Sequence, residues 1–196
     1  KKCKKNTVLF APSWTHNNSN LFNDYGLKII KKLMDLKLNV ILRPHPEIIK
    51  RFPDKILEIK KAFDKNKKFL FDNSSSNLIS MEKSLLCLTD NSTITMEYAL
   101  SLERQVIYID YKDKIHNLSY KELNIETLES KFKKELGISI DINDFLKSKF
   151  LVSPKNFSKI TFKKKLKKFE KKYLFNSRSS VNKAVDFLRQ LSEKNI

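Results

Sequence analysis

The sequence predicts an α/β protein: a doubly wound, Rossmann-like parallel sheet of about five strands with a helical C-terminal extension. Three observations lead there. Short apolar or β-branched runs alternate with segments whose apolar residues recur every three or four positions, as strands joined by helical crossovers do. The run at residues 85–89, Leu-Leu-Cys-Leu-Thr, is almost wholly apolar, as a central parallel strand covered on both faces must be. Finally, the polar residues capable of chemistry fall just after such runs, where doubly wound sheets hold their ligands.

The elements follow in order. Residues 7–11 form a first strand and residues 17–23 a polar loop. A helix then carries Phe22, Tyr25, Ile29, Leu33 and Leu36 on one stripe. Asn39–Leu42 is the second strand. Ile49, Phe52, Ile56, Ile59 and Phe63 resume the helical period, but Pro53 lacks a backbone donor and demands an interruption or a late start. Residues 68–71 make a brief third strand, 77–83 a short helix and 85–89 the fourth strand. A helix over 93–102 leads into a fifth strand over 105–110.

The remainder has a different texture. Residues 111–152 carry shorter, mixed helical patterns, with a break at Gly137. Between Lys155 and Lys172 nine lysines accompany one glutamate, while Phe162, Leu166, Phe169 and Tyr173 keep a helical stripe. A last helix covers residues 181–191. The chain therefore divides into a sheet domain over 1–152 and a basic helical extension over 153–196 that packs on it. It opens on Lys1-Lys2 with no initiator methionine and enters its first strand at once, as a piece of a larger protein would.

Composition removes several classes. With 40% hydrophobic residues the chain is too apolar to stay disordered, despite 32% charged residues. No apolar run approaches the ~20 residues of a membrane span, and no signal peptide opens the chain. The expected location is the cytoplasm, with peripheral attachment at the inner face of the plasma membrane as the variant. Cys3 and Cys87 are too few for a disulfide framework, and Cys87 reads as an inert core thiol. No residue set has metal-ligand spacing, so neither a metal nor a resident cofactor is expected. The net charge of +18 invites nucleic acid as a partner, yet only five of the 40 basic residues are arginine. Phosphate recognition favours the arginine fork, so a lysine, asparagine and isoleucine bias fits AT-rich codon usage better and argues against nucleic acid.

Three clusters can carry chemistry. Arg43-Pro44-His45-Pro46 ends the second strand, and the two prolines stiffen the loop on either side of the imidazole. Held toward one anionic group, His45 can protonate or hydrogen-bond a leaving phosphate while Arg43 neutralises developing charge. A histidine that merely caps the next helix is an equally good reading. Asp90-Asn91-Ser92-Thr93 ends the fourth strand, and Ser92 and Thr93 suit N-caps. The same helix start also offers free N–H groups and a positive dipole end to phosphate. Glu97, one turn on, is either a ribose-binding carboxylate or a solvated surface charge. Ser13-Trp14 follows the first strand and either lines the same cleft or roofs the sheet edge. His16 and His116 lie in polar stretches and read as solvated. The glycine-rich phosphate loops usual for such ligands are absent, because the chain has only Gly26 and Gly137.

Taken together the clusters resemble the CDP-glycerol glycerophosphotransferase family, the teichoic-acid primases and polymerases. The family's Ala-Pro-Thr-Trp at a strand end is similar to Ala11-Pro12-Ser13-Trp14, and its Arg-x-His-Pro to Arg43-Pro44-His45-Pro46. Its Asp-Tyr-Ser-Ser and following Phe-Glu-Tyr-Ala resemble Asp90-Asn91-Ser92-Thr93 and Met96-Glu97-Tyr98-Ala99. The matched region spans residues 7–110, in the family's order. Asn91 stands where the family has tyrosine, Thr93 where it has a second serine, and Thr15 where it has arginine.

The resemblance implies the C-terminal, donor-binding half of a two-domain GT-B transferase, with residues 1–152 as the Rossmann-like nucleotide-donor-binding domain. It implies catalytic roles for Arg43 and His45. Donor contacts would come from Ser13, Trp14, Arg43, Pro44, His45, Ser92, Thr93 and Glu97. It also implies a nucleotide-activated donor as substrate and a further N-terminal acceptor half bearing a His-Gly base. No His-Gly pair occurs in this sequence. The function expected is transfer of glycerol phosphate, or a related CDP-activated unit, to a cell-wall or surface polymer. The alternative is a nucleotide-sugar glycosyltransferase of capsule or lipopolysaccharide synthesis. A basic module that contacts anionic lipid or nucleic acid through Lys155 to Lys172 is the third reading.

Overall fold

The structure, a computed structural model, describes residues 6–15, 19–112, 118–147, 159–176 and 179–194. Six short parallel strands make one sheet: β1 (Thr7–Phe10), β2 (Asn39–Leu42), β3 (Phe69–Phe71), β4 (Leu86–Thr89), β5 (Val106–Asp110) and β6 (Ile138–Asp141). Their order is β3-β2-β1-β4-β5-β6. β1 pairs with β2 on one edge and β4 on the other, Leu9 lying opposite Ile41 and Cys87. Strand order reverses at that point, which opens a crevice beyond the carboxyl ends of β1 and β4. The expected doubly wound α/β class is the one observed.

The helices are α1 (Leu21–Asp35), α2 (Pro46–Arg51), α3 (Pro53–Phe63), α4 (Leu78–Lys83), α5 (Ile94–Leu102), α6 (Leu128–Leu136), α7 (Ile142–Lys147), α8 (Lys159–Tyr173) and α9 (Ser180–Lys194). A 3₁₀ turn spans Leu118–Lys121. Alternation along the strands sends side chains to two separate cores. Val8, Phe10, Val40, Leu42, Leu86 and Leu88 meet Ile29 and Leu33 of α1, Ile59 of α3 and Phe145 of α7. Leu9, Ile41, Cys87, Val106 and Tyr108 meet Tyr98 of α5, Phe132 of α6 and Phe169 of α8. Cys87 is fully buried, and burial pushes its thiol pKa up, so it packs as a core residue.

Helix boundaries follow local chemistry. The Asn20 side chain accepts from the N–H of Asn23 at 3.0 Å and starts α1 inside the stretch expected to be loop. The apolar stripe over residues 49–63 is one pattern on two helices. Phe52, with φ −127° and ψ 53°, separates α2 from α3, because the ring of Pro53 disfavours helical geometry at the residue before it.

One expectation needs correction. The sheet has six strands, not five, since residues 138–141 form β6 along β5. Ile138 and Ile140 alternate there with Ser139 and Asp141, a four-residue signal hidden against the helical pattern ending at Gly137. In the helical C-terminal part, α8 and α9 differ in burial. Phe162, Leu166 and Phe169 of α8 are buried in the second core, where Phe169 meets the Phe132 ring edge-on at 5.3 Å. The side chains of residues 180–193 in α9 are all exposed. Lys155 lies outside the described residues, as do Cys3, His16 and His116. No helix among the described residues is long and apolar enough to cross a membrane.

Gly137 closes α6 where the chain must pass close to β5. A Cβ there would lie 2.5 Å from the Tyr108 ring and 2.7 Å from the Lys133 carbonyl oxygen. Substitution G137A should therefore destabilise the protein by about 1–3 kcal/mol through overpacking. F169A should cost about 3–5 kcal/mol, as loss of a buried aromatic does. Denaturant titration measures both, and a neutral F169A would show α8 to be dispensable to the core.

Candidate ligand-binding cleft

Loops from four strand ends converge on one cleft of about 300 Å³ at the carboxyl edge of the sheet. β1 contributes Ala11 and Pro12, and β2 contributes Arg43, Pro44 and His45. The loop after β3 supplies Asp72, Asn73, Ser74, Ser75, Ser76 and Asn77. Ser92, Thr93, Ile94 and Glu97 come from the start of α5. Backbone bonds hold the loops in place. Arg43 N–H donates to the Phe10 carbonyl at 2.9 Å, and His45 N–H to the Pro12 carbonyl at 3.2 Å.

Arg43 does not stand alone. Its Nη1 donates to Asp72 Oδ2 at 2.6 Å and to Ser74 Oγ at 3.3 Å, and its Nη2 to the Ser74 carbonyl at 2.8 Å. The Nε–H and a second Nη2–H of the five-donor fork keep no partner among the described residues. Asp72 in turn accepts from the hydroxyls of Ser74 and Ser80 and from the Ser74 N–H. Burial works to raise the Asp72 pKa, but the hydroxyls of Ser74 and Ser80, the Ser74 N–H and the Arg43 guanidinium outweigh it and hold the carboxyl at about 2. The carboxylate thus aims the guanidinium and offsets part of its charge.

His45 caps a helix and also lines the cleft. At the N-cap of α2 its Nδ1 accepts from the Glu47 N–H at 3.2 Å. An Nδ1 that accepts places the proton of the neutral imidazole on Nε2, which is then a donor. The α5 start departs from the capping reading. Thr93 occupies the N-cap position with helical angles and makes no side-chain capping bond. Thr95 Oγ1 instead donates to the Ser92 carbonyl at 2.8 Å. No hydrogen bond is made by the Ser92 or Thr93 hydroxyl among the described residues, and both residues line the cleft. Glu97 also lines it, and its Oε2 accepts from Asn77 Nδ2 at 2.7 Å.

Ser13 and Trp14 support the cleft without lining it. Ser13 is buried and binds Asp90 twice, N–H to Oδ1 at 2.8 Å and Oγ to Oδ2 at 2.9 Å. This clamp ties the loop after β1 to the loop after β4, beside Thr89 Oγ1, which donates to the Ala11 carbonyl at 2.6 Å. The Trp14 ring lies 5.9 Å from the His45 ring and 5.1 Å from the Arg51 guanidinium. It steadies the histidine loop from outside.

Sequence reasoning missed the Asp72–Asn77 stretch altogether. The signal was present, because a polar run directly follows the third apolar run, as it does the second and fourth. The stretch is acidic and serine-rich, and it gained meaning only once Arg43 was seen to bind it. Among the described residues no group of His, Cys, Asp and Glu is arranged to hold a metal ion.

Asp72 gives the structure an acid-sensitive contact. Its folded-state pKa of about 2 lies below the ~3.9 of an unfolded aspartate, so its stabilisation is present above about pH 4 and lost as pH falls toward 2. Denaturant melts across that window should show wild type losing stability faster than D72N. Equal slopes would mean that the Ser74, Ser80 and Arg43 contacts to Asp72 are not held in solution. No protein-family model matches the chain, and no curated protein matches it significantly.

Proposed function

We propose that the cleft binds the phosphates and ribose of a nucleotide-activated donor, and that the chain is the donor-binding domain of a CDP-glycerol-type glycerophosphotransferase. The observation that carries this reading is the convergence of Arg43, His45, the two unbonded hydroxyls of Ser92 and Thr93, and Glu97 on one cleft at the strand-order reversal. The Arg43 N–H groups without a partner among the described residues and the Ile94 N–H at the start of α5 suit a pyrophosphate, with the His45 imidazole lining the same cleft. Glu97 Oε1, opposite the Oε2 held by Asn77, suits a ribose hydroxyl.

In the transfer step the acceptor hydroxyl attacks the phosphorus of the glycerol phosphate unit. The bond to the bridging oxygen breaks, and the cytidine monophosphate departs with that oxygen. His45 donates from Nε2 to the departing phosphate, and Arg43 neutralises the charge that develops on it. Asp72 keeps Arg43 in register for this and touches no substrate itself. The base for the acceptor hydroxyl is assigned to a separate acceptor half, so this chain by itself binds donor without efficient transfer. The same strand-end chemistry serves a nucleotide sugar, the second reading, and donor preference separates the two. In the primary reading the protein works at the cytoplasmic face, where surface polymers are extended.

Titration calorimetry with CDP-glycerol, CDP and UDP-sugars tests the proposal. CDP-glycerol and CDP should bind, and the S92A/T93A double variant should weaken binding by about 10-fold, with unchanged stability because neither hydroxyl serves the fold. H45Q and R43A should weaken it by about 10- to 100-fold, as loss of charge-assisted bonds does. A clear preference for a uridine donor would transfer the assignment to the glycosyltransferase reading. No affinity for any nucleotide would end both.

A further inference from the structure

The last helix presents an apolar face that the fold leaves uncovered. In α9, Val181 is 74% exposed, Phe187 59% and Leu188 64%, and Val185 and Leu191 are each 41% exposed. Phe175, in the turn before it, is 92% exposed. At about 100° per residue the apolar side chains occupy one arc of about 160°, from Phe187 through Leu191, Ala184, Leu188 and Val181 to Val185. The charges on the same helix are ordered around that arc. Lys183 borders it beside Phe187, and Arg189 borders it beside Val185, whereas Asp186 and Glu193 sit on the opposite side.

That order matches one kind of surface. Helices lying in a membrane interface place cations at the borders of the apolar face, where long side chains snorkel to headgroups, and keep acids toward water. A coiled-coil seam between two copies would need a narrower stripe repeated over three or four heptads, and α9 offers only 15 residues. Its neighbour in sequence adds charge of the matching sign. Lys164, Lys165, Lys167, Lys168 and Lys171 of α8 are exposed, while the apolar stripe of that helix is spent on the core. Near an anionic bilayer each such lysine contributes attraction that salt screens.

We propose that α9 is an interfacial anchor: it lies along an anionic lipid surface with Phe187, Leu188 and Val181 in the acyl boundary, and the α8 lysines draw it there. This rests on the two helices alone and is independent of what the cleft binds.

Flotation of the full chain with lipid vesicles tests it. The protein should float with phosphatidylcholine vesicles containing phosphatidylglycerol, bind phosphatidylcholine alone weakly, and release from the anionic vesicles in high salt. F187E/L188E should lower partitioning by about 10-fold or more with an unchanged melting temperature, because both side chains are exposed in the fold. K164E/K165E/K168E should lower it and flatten its salt dependence. Absence of flotation, or flotation indifferent to F187E/L188E, overturns the proposal. So does lipid-free self-association in the ultracentrifuge that F187E/L188E abolishes, since a second copy would then be the occupant. Nucleotide titration of the same variants should remain at the wild-type value, which keeps this outcome separate from that of the cleft.

Discussion

The architecture hangs on β1, a four-residue strand bonded on both edges and buried on both faces. Parallel pairing with β2 and β4 together forces the chain to run outward in both directions from β1, which creates the reversal of strand order. Alternation along the same strand divides the protein into two cores, Val8 and Phe10 facing one and Leu9 the other. All-parallel pairing also puts every strand's carboxyl end on the same edge. The loops after β1, β2, β3 and β4 therefore have no choice but to meet, and the cleft is where they do.

Within that edge, polar contacts convert proximity into fixed geometry. The two bonds from Ser13 to Asp90 cross between the loops after β1 and β4. Arg43 to Asp72 crosses between the loops after β2 and β3. Both carboxylates are acceptors that hold a neighbour in place, and Asp72 is satisfied from several directions at once. Such networks rigidify a site because removal of one member leaves the others partly desolvated and unpaired. Ser92 and Thr93 contrast with them. Their hydroxyls serve no such network among the described residues, and both residues line the cleft.

Helix α8 and helix α9 look alike in sequence, each with apolar residues at helical spacing among charges, yet they have opposite fates. In α8 the stripe of Phe162, Leu166 and Phe169 finds Phe132 of α6 and disappears into the core, leaving lysines outside. The apolar arc of α9 meets no such partner among the described residues and is exposed. Amphipathicity states that a helix has a face to cover; only packing states whether the protein itself covers it.

Sequence alone determined the α/β class, the places of β1 to β5 and the apolar stripes of α1, of α2 with α3, and of α8. These are encoded locally, by period and by apolar runs. It also located Arg43, His45, Ser92, Thr93 and Glu97, because strand ends are where a doubly wound sheet exposes polar groups. What tertiary structure decided was which of these groups face the cleft and which hold it up. Ser13 turned inward and Trp14 lay outside the histidine loop to support it, His45 serves as cap and as cleft wall, and the Asp72–Asn77 stretch entered the site unannounced. β6 was likewise invisible until β5 offered it an edge. The reason is common to all four: orientation and partner choice depend on contacts between residues far apart in the chain, such as Arg43 with Asp72, and no local period records them.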